Sequence, residues 1–459
     1  MKSPLRLVSE LIPLSRGEST GRELYELIKE LFPICRSITG EGLRSTLRIL
    51  QKHIPLTLEE IPTGTPAFDW TVPKEWNIRD AYIKNSSGER IVDFQKSNLC
   101  VLNYSIPVNR KISLDELRAH LFTLPEQPEA IPYRTSYYRE AWGFCLPHRL
   151  LESLAPGEYQ VQIDSTLAAG HLSYGELLLP GESDEEILIS AHACHPSLAN
   201  DNLSGVAVAA FLARSLADVH RRYSYRFLFL PGTIGSIVWL SRNQQSASRI
   251  SHGLVLACLG DSGSLSYKKS RRGDAEVDRV AVHVLKHLGS QNVRDFSPYG
   301  YDERQYCSPG FNLSVGCLSR TPHGQFPEYH TSEDNLDFVR PDALADSCAC
   351  VLSILAALEE NQTYRNRNPM CEPQLGRRGL YRQLGGMRDA GQLEMAMLWL
   401  LNLSDETHSV IDIAERSNLP FDCLRTAAAT LRENGLLEAV VPRTMKSDVS
   451  LDSIAGNRR

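Results

Sequence analysis

The sequence predicts an α/β fold built on a mixed, mostly parallel sheet, and three observations carry that reading. Short apolar runs alternate with helical periodicities over residues 175–360. A stretch dense in prolines, aromatics and strand-like runs interrupts the chain at residues 64–170. Three short helical patterns followed by a Gly-Leu-Leu run come last. Parallel strands need crossover connections, which lay helices over both faces of the sheet.

The elements follow in order. Leu24, Leu27, Ile28 and Leu31 share one helical face, and Leu43, Leu47, Ile49 and Leu50 a second, with Thr39-Gly40-Glu41-Gly42 as the break between them. In the interruption, Pro66, Phe68, Trp70, Pro73 and Trp76 crowd a short span. Residues 99–102 read there as a strand and residues 114–122 as a helix, within an inserted β-rich domain at 64–170. The α/β domain is expected at 1–63 and 171–365, with strands over 187–190, 226–230, 254–259 and 313–318. Each of these is a continuous apolar run, as a strand buried on both faces requires. Helices are expected over 203–217, 277–288 and 341–360. After a polar linker at 361–369, helical patterns at 394–401, 410–416 and 421–434 lead into a strand-like run at 435–441, the pattern of a winged helix, which is placed at 376–445.

Composition narrows the function classes. At 42% hydrophobic and 23% charged residues the chain is an ordinary globular protein, and its 459 residues are ample for a large core without staples. A net charge of −6 argues against broad polyanion binding. The eleven cysteines form no Cys-x-x-Cys pair, which points to reduced thiols and a cytoplasmic location. The first residues lack the apolar block of a secretory signal, and no window reads as the ~20-residue apolar span of a membrane helix.

The chemistry-bearing stretch is His192-Ala193-Cys194-His195-Pro196-Ser197-Leu198-Ala199-Asn200-Asp201-Asn202-Leu203-Ser204-Gly205. It leaves the end of a predicted strand and enters a predicted helix, the place where ligands gather in open α/β sheets. An imidazole and a carboxylate there either converge on a borderline cation or serve local hydrogen bonding and helix capping. Asp261 ends the next strand but one, and Glu328-Tyr329-His330-Thr331 adds a late histidine. The order His192, Asp201, Asp261, His330 resembles the zinc-dependent aminopeptidase superfamily with co-catalytic metals. Residues 63–73, the His-Pro-Ser-Leu-Ala-Asn-Asp-Asn-Leu-Ser-Gly segment and residues 267–271 resemble more closely its polysaccharide-biosynthesis-associated, aminopeptidase-like branch, which has an inserted β domain and a C-terminal winged helix. The resemblance implies His192, Asp201, Asp261 and His330 as metal ligands. A bound zinc would lower the pKa of its water to about 7 and polarise an amide carbonyl.

The chain departs from that pattern at one place. The superfamily carries a Glu pair after the strand at 226–230, where this sequence reads Pro231-Gly232-Thr233. The closer branch implies Pro-Glu-Thr there. General-base help is worth roughly 10²–10⁴-fold, and glycine gives none. One zinc ion is therefore expected instead of two. His195 is either a ligand or proton shuttle, or a loop residue bonded to a carbonyl. Glu303, in Tyr301-Asp302-Glu303-Arg304, is either a catalytic carboxylate or an ion-paired loop residue. Lys268, Arg271 and Arg272, with Tyr329, are candidates to bind an anionic part of the substrate; the alternative for the basic run is a solvated turn.

In the winged helix, the second helical pattern offers Arg425 and Arg432 among small and acidic residues, which disfavours DNA reading and suits packing, including against a second copy. The expected function is a metal-dependent hydrolase of amide bonds acting on a peptide or small molecule, with Gly232 and Thr233 impairing it. The alternative is a non-hydrolytic relative that binds a ligand or scaffolds a biosynthetic complex.

Overall fold

A computed structural model describes residues 6–380 and 390–440. The chain divides into two compact units, Met1–Glu359 and Glu360–Arg459.

The first unit is organised by an eight-stranded sheet. Its order is Thr57–Pro62, His171–Leu179, Ser224–Leu230, Glu186–His192, Ile250–Leu256, Val315–Ser319, Ser266–Lys268, Asn292–Arg294. The four strands from Ser224–Leu230 to Val315–Ser319 run parallel, and antiparallel partners flank them on both sides. Every residue of Glu186–His192 and Ser224–Leu230 is buried, so both faces of the sheet are covered. Those runs carry one buried cation: Arg226 forks onto Glu186 through Nε (2.6 Å) and a terminal nitrogen (2.8 Å) and also meets Glu176. Gly205 opens the helix Gly205–Leu216 because a Cβ there would stand 2.3 Å from the Leu256 carbonyl oxygen.

The strands at 226–230 and 313–318 are present, the latter as Val315–Ser319. The predicted strand at 254–259 starts earlier and ends at Leu256, because Cys258 turns into the left-handed region (φ +53°). Four strands escaped the sequence reading: the edge pairs Thr57–Pro62 with His171–Leu179, and Ser266–Lys268 with Asn292–Arg294. Thr57–Pro62 is polar and the last two are three residues long, so these lack the apolar signature, while in His171–Leu179 the apolar residues are interrupted by His171, Ser173, Gly175 and Glu176. The helix Pro341–Glu360 corrects the reading that no segment resembles a membrane span. It is 20 residues long and apolar enough by composition, with 78% of that window buried as a core helix.

Residues 64–170 contribute an antiparallel sheet in the order Arg90–Asp93, Glu75–Lys84, Glu158–Ala168, Val108–Ser113. The long strand Glu158–Ala168 alternates, with Tyr159, Val161 and Ile163 turned inward into one cluster with Ala81, Ile83, Ile112, Leu117 and Phe144. Two local expectations change. Residues 99–102 form a helical turn, Asn98–Cys100, and then a single bridge from Val101 to Phe144. The helix expected at 114–122 stops at Arg118, capped at its start by the Ser113 hydroxyl, and Leu121–Phe122 pairs with Phe144–Cys145.

The second unit has helices Ala390–Leu403, Val410–Ser417 and Phe421–Glu433, and a sheet in the order Asp405–Ser409, Thr363–Asn366, Leu437–Ala439. Ser409 and Asp412 close a reciprocal cap on the middle helix. The strand Thr363–Asn366 falls inside the stretch expected to be a linker; its four residues are polar apart from Tyr364, so no strand pattern stands out. Of the region assigned to the winged helix, residues 381–389 and 441–445 lie outside the described residues.

Candidate metal centre

The site lies at the carboxyl edge of the parallel strands. His192 is the last residue of its strand and pairs in register with Leu230, so the loops after both strands meet there. From His192 the chain turns through Cys194 and His195 into Ala199–Ser204, a widened helical turn in which Asp201 (φ −106°, ψ 87°) leaves helical geometry. Asp334 holds that turn: its carboxylate accepts the backbone N–H of Asn200 (2.6 Å) and of Asp201 (2.9 Å). Asn202 fixes it from the other side, donating to the Leu256 carbonyl (2.9 Å) and accepting from the Cys258 N–H (3.1 Å).

The result is a buried carboxylate ringed by imidazoles. Asp201 Oδ1 is 2.9 Å from His192 Nε2, and its Oδ2 is 3.1 Å from His330 Nε2 and 3.7 Å from His195 Nδ1. Burial alone would raise the Asp201 carboxyl, but His195 and the contacts from His192 and His330 hold it well below its ordinary range. Burial pushes the His195 imidazole down to about 3, against the attraction of Asp201. His195 Nδ1 has no hydrogen-bond partner, although the His195 carbonyl is anchored by Arg36 Nε (2.7 Å).

Among the described residues, His192, His195 and Asp201 form a group that could hold a metal ion, with ligand atoms within 4.8 Å of one another. The residues fit one zinc. Donors at about 2.0–2.2 Å from a tetrahedral centre lie roughly 3.3–3.6 Å apart, and three protein ligands leave the fourth position open. The orphaned Nδ1 of His195 is the atom such an ion would satisfy.

The other sequence candidates divide. Tyr329 is at the site, stacked on His330 with ring centroids 4.0 Å apart. Asp261 is engaged elsewhere: its carboxylate accepts from Thr321 Oγ1 (2.6 Å), the Gly263 N–H (2.7 Å) and Asn200 Nδ2 (3.0 Å). Glu303 and Lys268 are buried against each other at 2.8 Å, and the Lys268 ammonium also donates to the Tyr299 carbonyl (2.8 Å). Arg271 and Arg272 are spent on Asn312, at 2.8 Å and 3.1 Å. Neither Glu303 nor any of the three basic residues lines the cavity over the histidines.

That cavity measures about 280 Å³. Besides His192, His195 and His330 it is bounded by Gly232, Thr233, Tyr301, Asp302, Arg304 and His323, and by Trp70, Tyr137 and Tyr138 from residues 64–170. Tyr301 stacks on His192 with centroids 4.8 Å apart, and Tyr133 sets its ring edge-on to His195 and His330. Sequence reading passed over Asp302 in favour of its neighbour Glu303. Successive residues in a helical turn point about 100° apart, so one of the two faces the cavity and the other the Lys268 side. Asp302 is fully buried, its Oδ1 accepts from Ser236 Oγ (2.7 Å), and its Oδ2 has no partner. Burial raises its carboxyl to about 6, with His192 and Ser236 opposing.

Comparison with known proteins agrees with this architecture. Residues 25–361 match the family model of a domain of unknown function (DUF4910), and residues 362–439 match a winged helix-turn-helix. A Clostridium acetobutylicum protein, provisionally named as a polysaccharide biosynthesis protein with an aminopeptidase-like domain, is 51% identical over 93% of this chain and 98% of its own. A crystal structure from Clostridium acetobutylicum, provisionally described as a peptidase, superposes with a TM-score of 0.89 at 50% identity, covering 94% of this chain and 99% of that one. The fold is shared with a zinc aminopeptidase from Bacillus subtilis (TM-score 0.54, 13% identity, covering 73% of this chain and 94% of that one). The chain belongs to the DUF4910 family, an aminopeptidase-like α/β fold carrying a C-terminal winged helix.

Proposed function

We propose that the protein is a hydrolase of amide bonds that works with one zinc ion held by His192, His195 and Asp201. The observation that carries this reading is the buried carboxylate of Asp201 surrounded by three imidazoles at the base of a cavity. Zinc there would supply Lewis-acid polarisation of a carbonyl and a low-pKa water. The chain's own residues do the rest. Asp334 and Asn202 hold the loop so that His192 and Asp201 stay in place. Tyr301 and Tyr329 cover the flat faces of His192 and His330 and keep bulk water off them. Trp70, Tyr137 and Tyr138 offer apolar faces for the substrate, suited to a side chain or a sugar ring. The name of the 51% identical relative joins polysaccharide biosynthesis to an aminopeptidase-like domain, and on that ground we take a peptide or an N-acylated amino sugar as the substrate class.

Eleven free cysteines, most of them buried, support a reducing compartment and a cytoplasmic location. For the winged helix we favour packing over nucleic acid, because Arg425 is already paired with Asp422 and Glu360. A second reading, a non-hydrolytic ligand-binding relative, is favoured by Gly232 and Thr233, which offer the cavity neither a carboxylate nor an imidazole. The test is hydrolysis of amino-acid anilides and N-acyl amino sugars by zinc-loaded protein, with and without a chelator. Chelator-sensitive turnover supports the hydrolase. Zinc binding without turnover on either substrate class favours the second reading.

A further inference from the structure

Asp302 and Gly232 form a feature that the ligand group leaves unexplained. An ionisable side chain with no exposure keeps one oxygen bonded to Ser236 and the other unpartnered, and it borders the same cavity as His192. Such a group is costly to bury unless something else in the cavity meets it. Gly232 makes room for it. A Cβ built there would stand 3.3 Å from Asp302 Oδ2 and 3.1 Å from His192 Cβ, so any side chain at 232 would fill the space between the carboxylate and the imidazole. Ser236, from the helix Ile234–Arg242, fixes Oδ1 and thereby aims Oδ2. The residue is held in one orientation by a partner that does not use its second oxygen.

We infer that Asp302 is the proton-accepting catalytic carboxylate of this cavity and that Gly232, by lacking a side chain, leaves the space beside its free oxygen for the reacting water; this rests on the hydrolase reading above. Asp302 Oδ2 takes a proton from water, whose O–H electron pair remains on oxygen and forms the bond to the amide carbonyl carbon. The C–N bond then breaks and the leaving nitrogen takes the proton back from Asp302, which returns the carboxylate to its starting state. No oxidant or second substrate is required. Ser236 is a positioning residue in this scheme.

Asp302→Asn and Gly232→Ala, each zinc-loaded, test the assignment with two readouts besides zinc stoichiometry. One is turnover of an amino-acid anilide or N-acyl amino sugar. The other is the affinity of acetohydroxamic acid, measured by calorimetry. A hydroxamic acid binds a metal as its anion and releases a proton, which a nearby carboxylate can accept and an amide cannot. Asp302→Asn is expected to keep its zinc, to lose roughly 10²–10⁴-fold in kcat with KM little changed, and to bind the hydroxamate at least tenfold more weakly. Gly232→Ala retains Asp302 but crowds its free oxygen, and should move the same two readouts in the same direction. If Asp302→Asn fails to fold, Gly232→Ala decides. Parent-like turnover and hydroxamate affinity in the folded, zinc-loaded variants overturn the proposal alone. A native chain that takes up no zinc overturns the hydrolase reading and this proposal with it.

Discussion

Two groups of charged residues, both offering site candidates in the sequence, have opposite constructions. Around Asp201, three imidazoles converge on one carboxylate, and His195 Nδ1 is left without a partner. Around Asp261, Lys268 and Glu303, the charges are engaged inside the fold: Asp261 by Thr321, Gly263 and Asn200, and Glu303 by Lys268. The first cluster has unused bonding capacity facing a cavity; the second holds loops together, and although Glu303 Oε2 is unpartnered, none of its three residues borders that cavity. What separates a site from a frame here is where the hydrogen bonds of each buried charge go.

The comparison can be broken most forcefully at the frame. Lys268→Met leaves Glu303 buried without its cation and should cost about 3–5 kcal/mol by denaturant unfolding, while Lys268→Met with Glu303→Leu recovers most of the loss. Zinc bound per folded molecule should not change in either. Loss of zinc with stability intact would place Lys268 in the site instead.

At the cavity the expected effect has the opposite sign. In metal-free protein, Asp302 rises from 3.8 to about 6 on folding, so the folded state binds more protons than the unfolded state between those values. Stability therefore falls as pH rises from about 4 to 6 and stays low above that range. Asp302→Asn removes the effect. It should be more stable than its parent at pH 7 by up to about 3 kcal/mol, with the gain shrinking to nothing below pH 4. Paired melting curves across pH check this, and a constant difference would contradict it.

Smaller effects come from the hydrogen bonds that tie Asp261. Thr321→Val strips one donor from a buried carboxylate and should cost about 1–3 kcal/mol without altering zinc content. Arg271→Ala touches only an exposed contact to Asn312 and should stay within about 0.5 kcal/mol in stability, with no change in KM for an anilide.

The central strands were legible in the sequence because both their faces are buried, so Ile187-Leu188-Ile189 and Phe227-Leu228-Phe229 stand out as unbroken apolar runs. Edge strands such as Thr57–Pro62 were not, because one side of each faces solvent and three-residue strands leave no pattern. His192, Asp201 and His330, which the structure brings together, were implied by the resemblance to the zinc aminopeptidases. That His195 joins His192 and Asp201 in a group that could hold a metal, and that Asp302 rather than Glu303 borders the cavity, depended on side-chain direction within a loop and a single helical turn. The aromatic wall from Trp70, Tyr137 and Tyr138 is brought in from a distant stretch of chain, and no local signal announces such a placement.

The most direct test of a single metal site set apart from its frame is zinc content by elemental analysis after mild purification without chelators. The account predicts one zinc per chain in the parent and in Asp261→Asn, and a loss of at least tenfold in affinity in His192→Ala, His195→Ala and Asp201→Ala. Two zincs in the parent, none at all, or a dependence on Asp261 equal to that on Asp201 would contradict it.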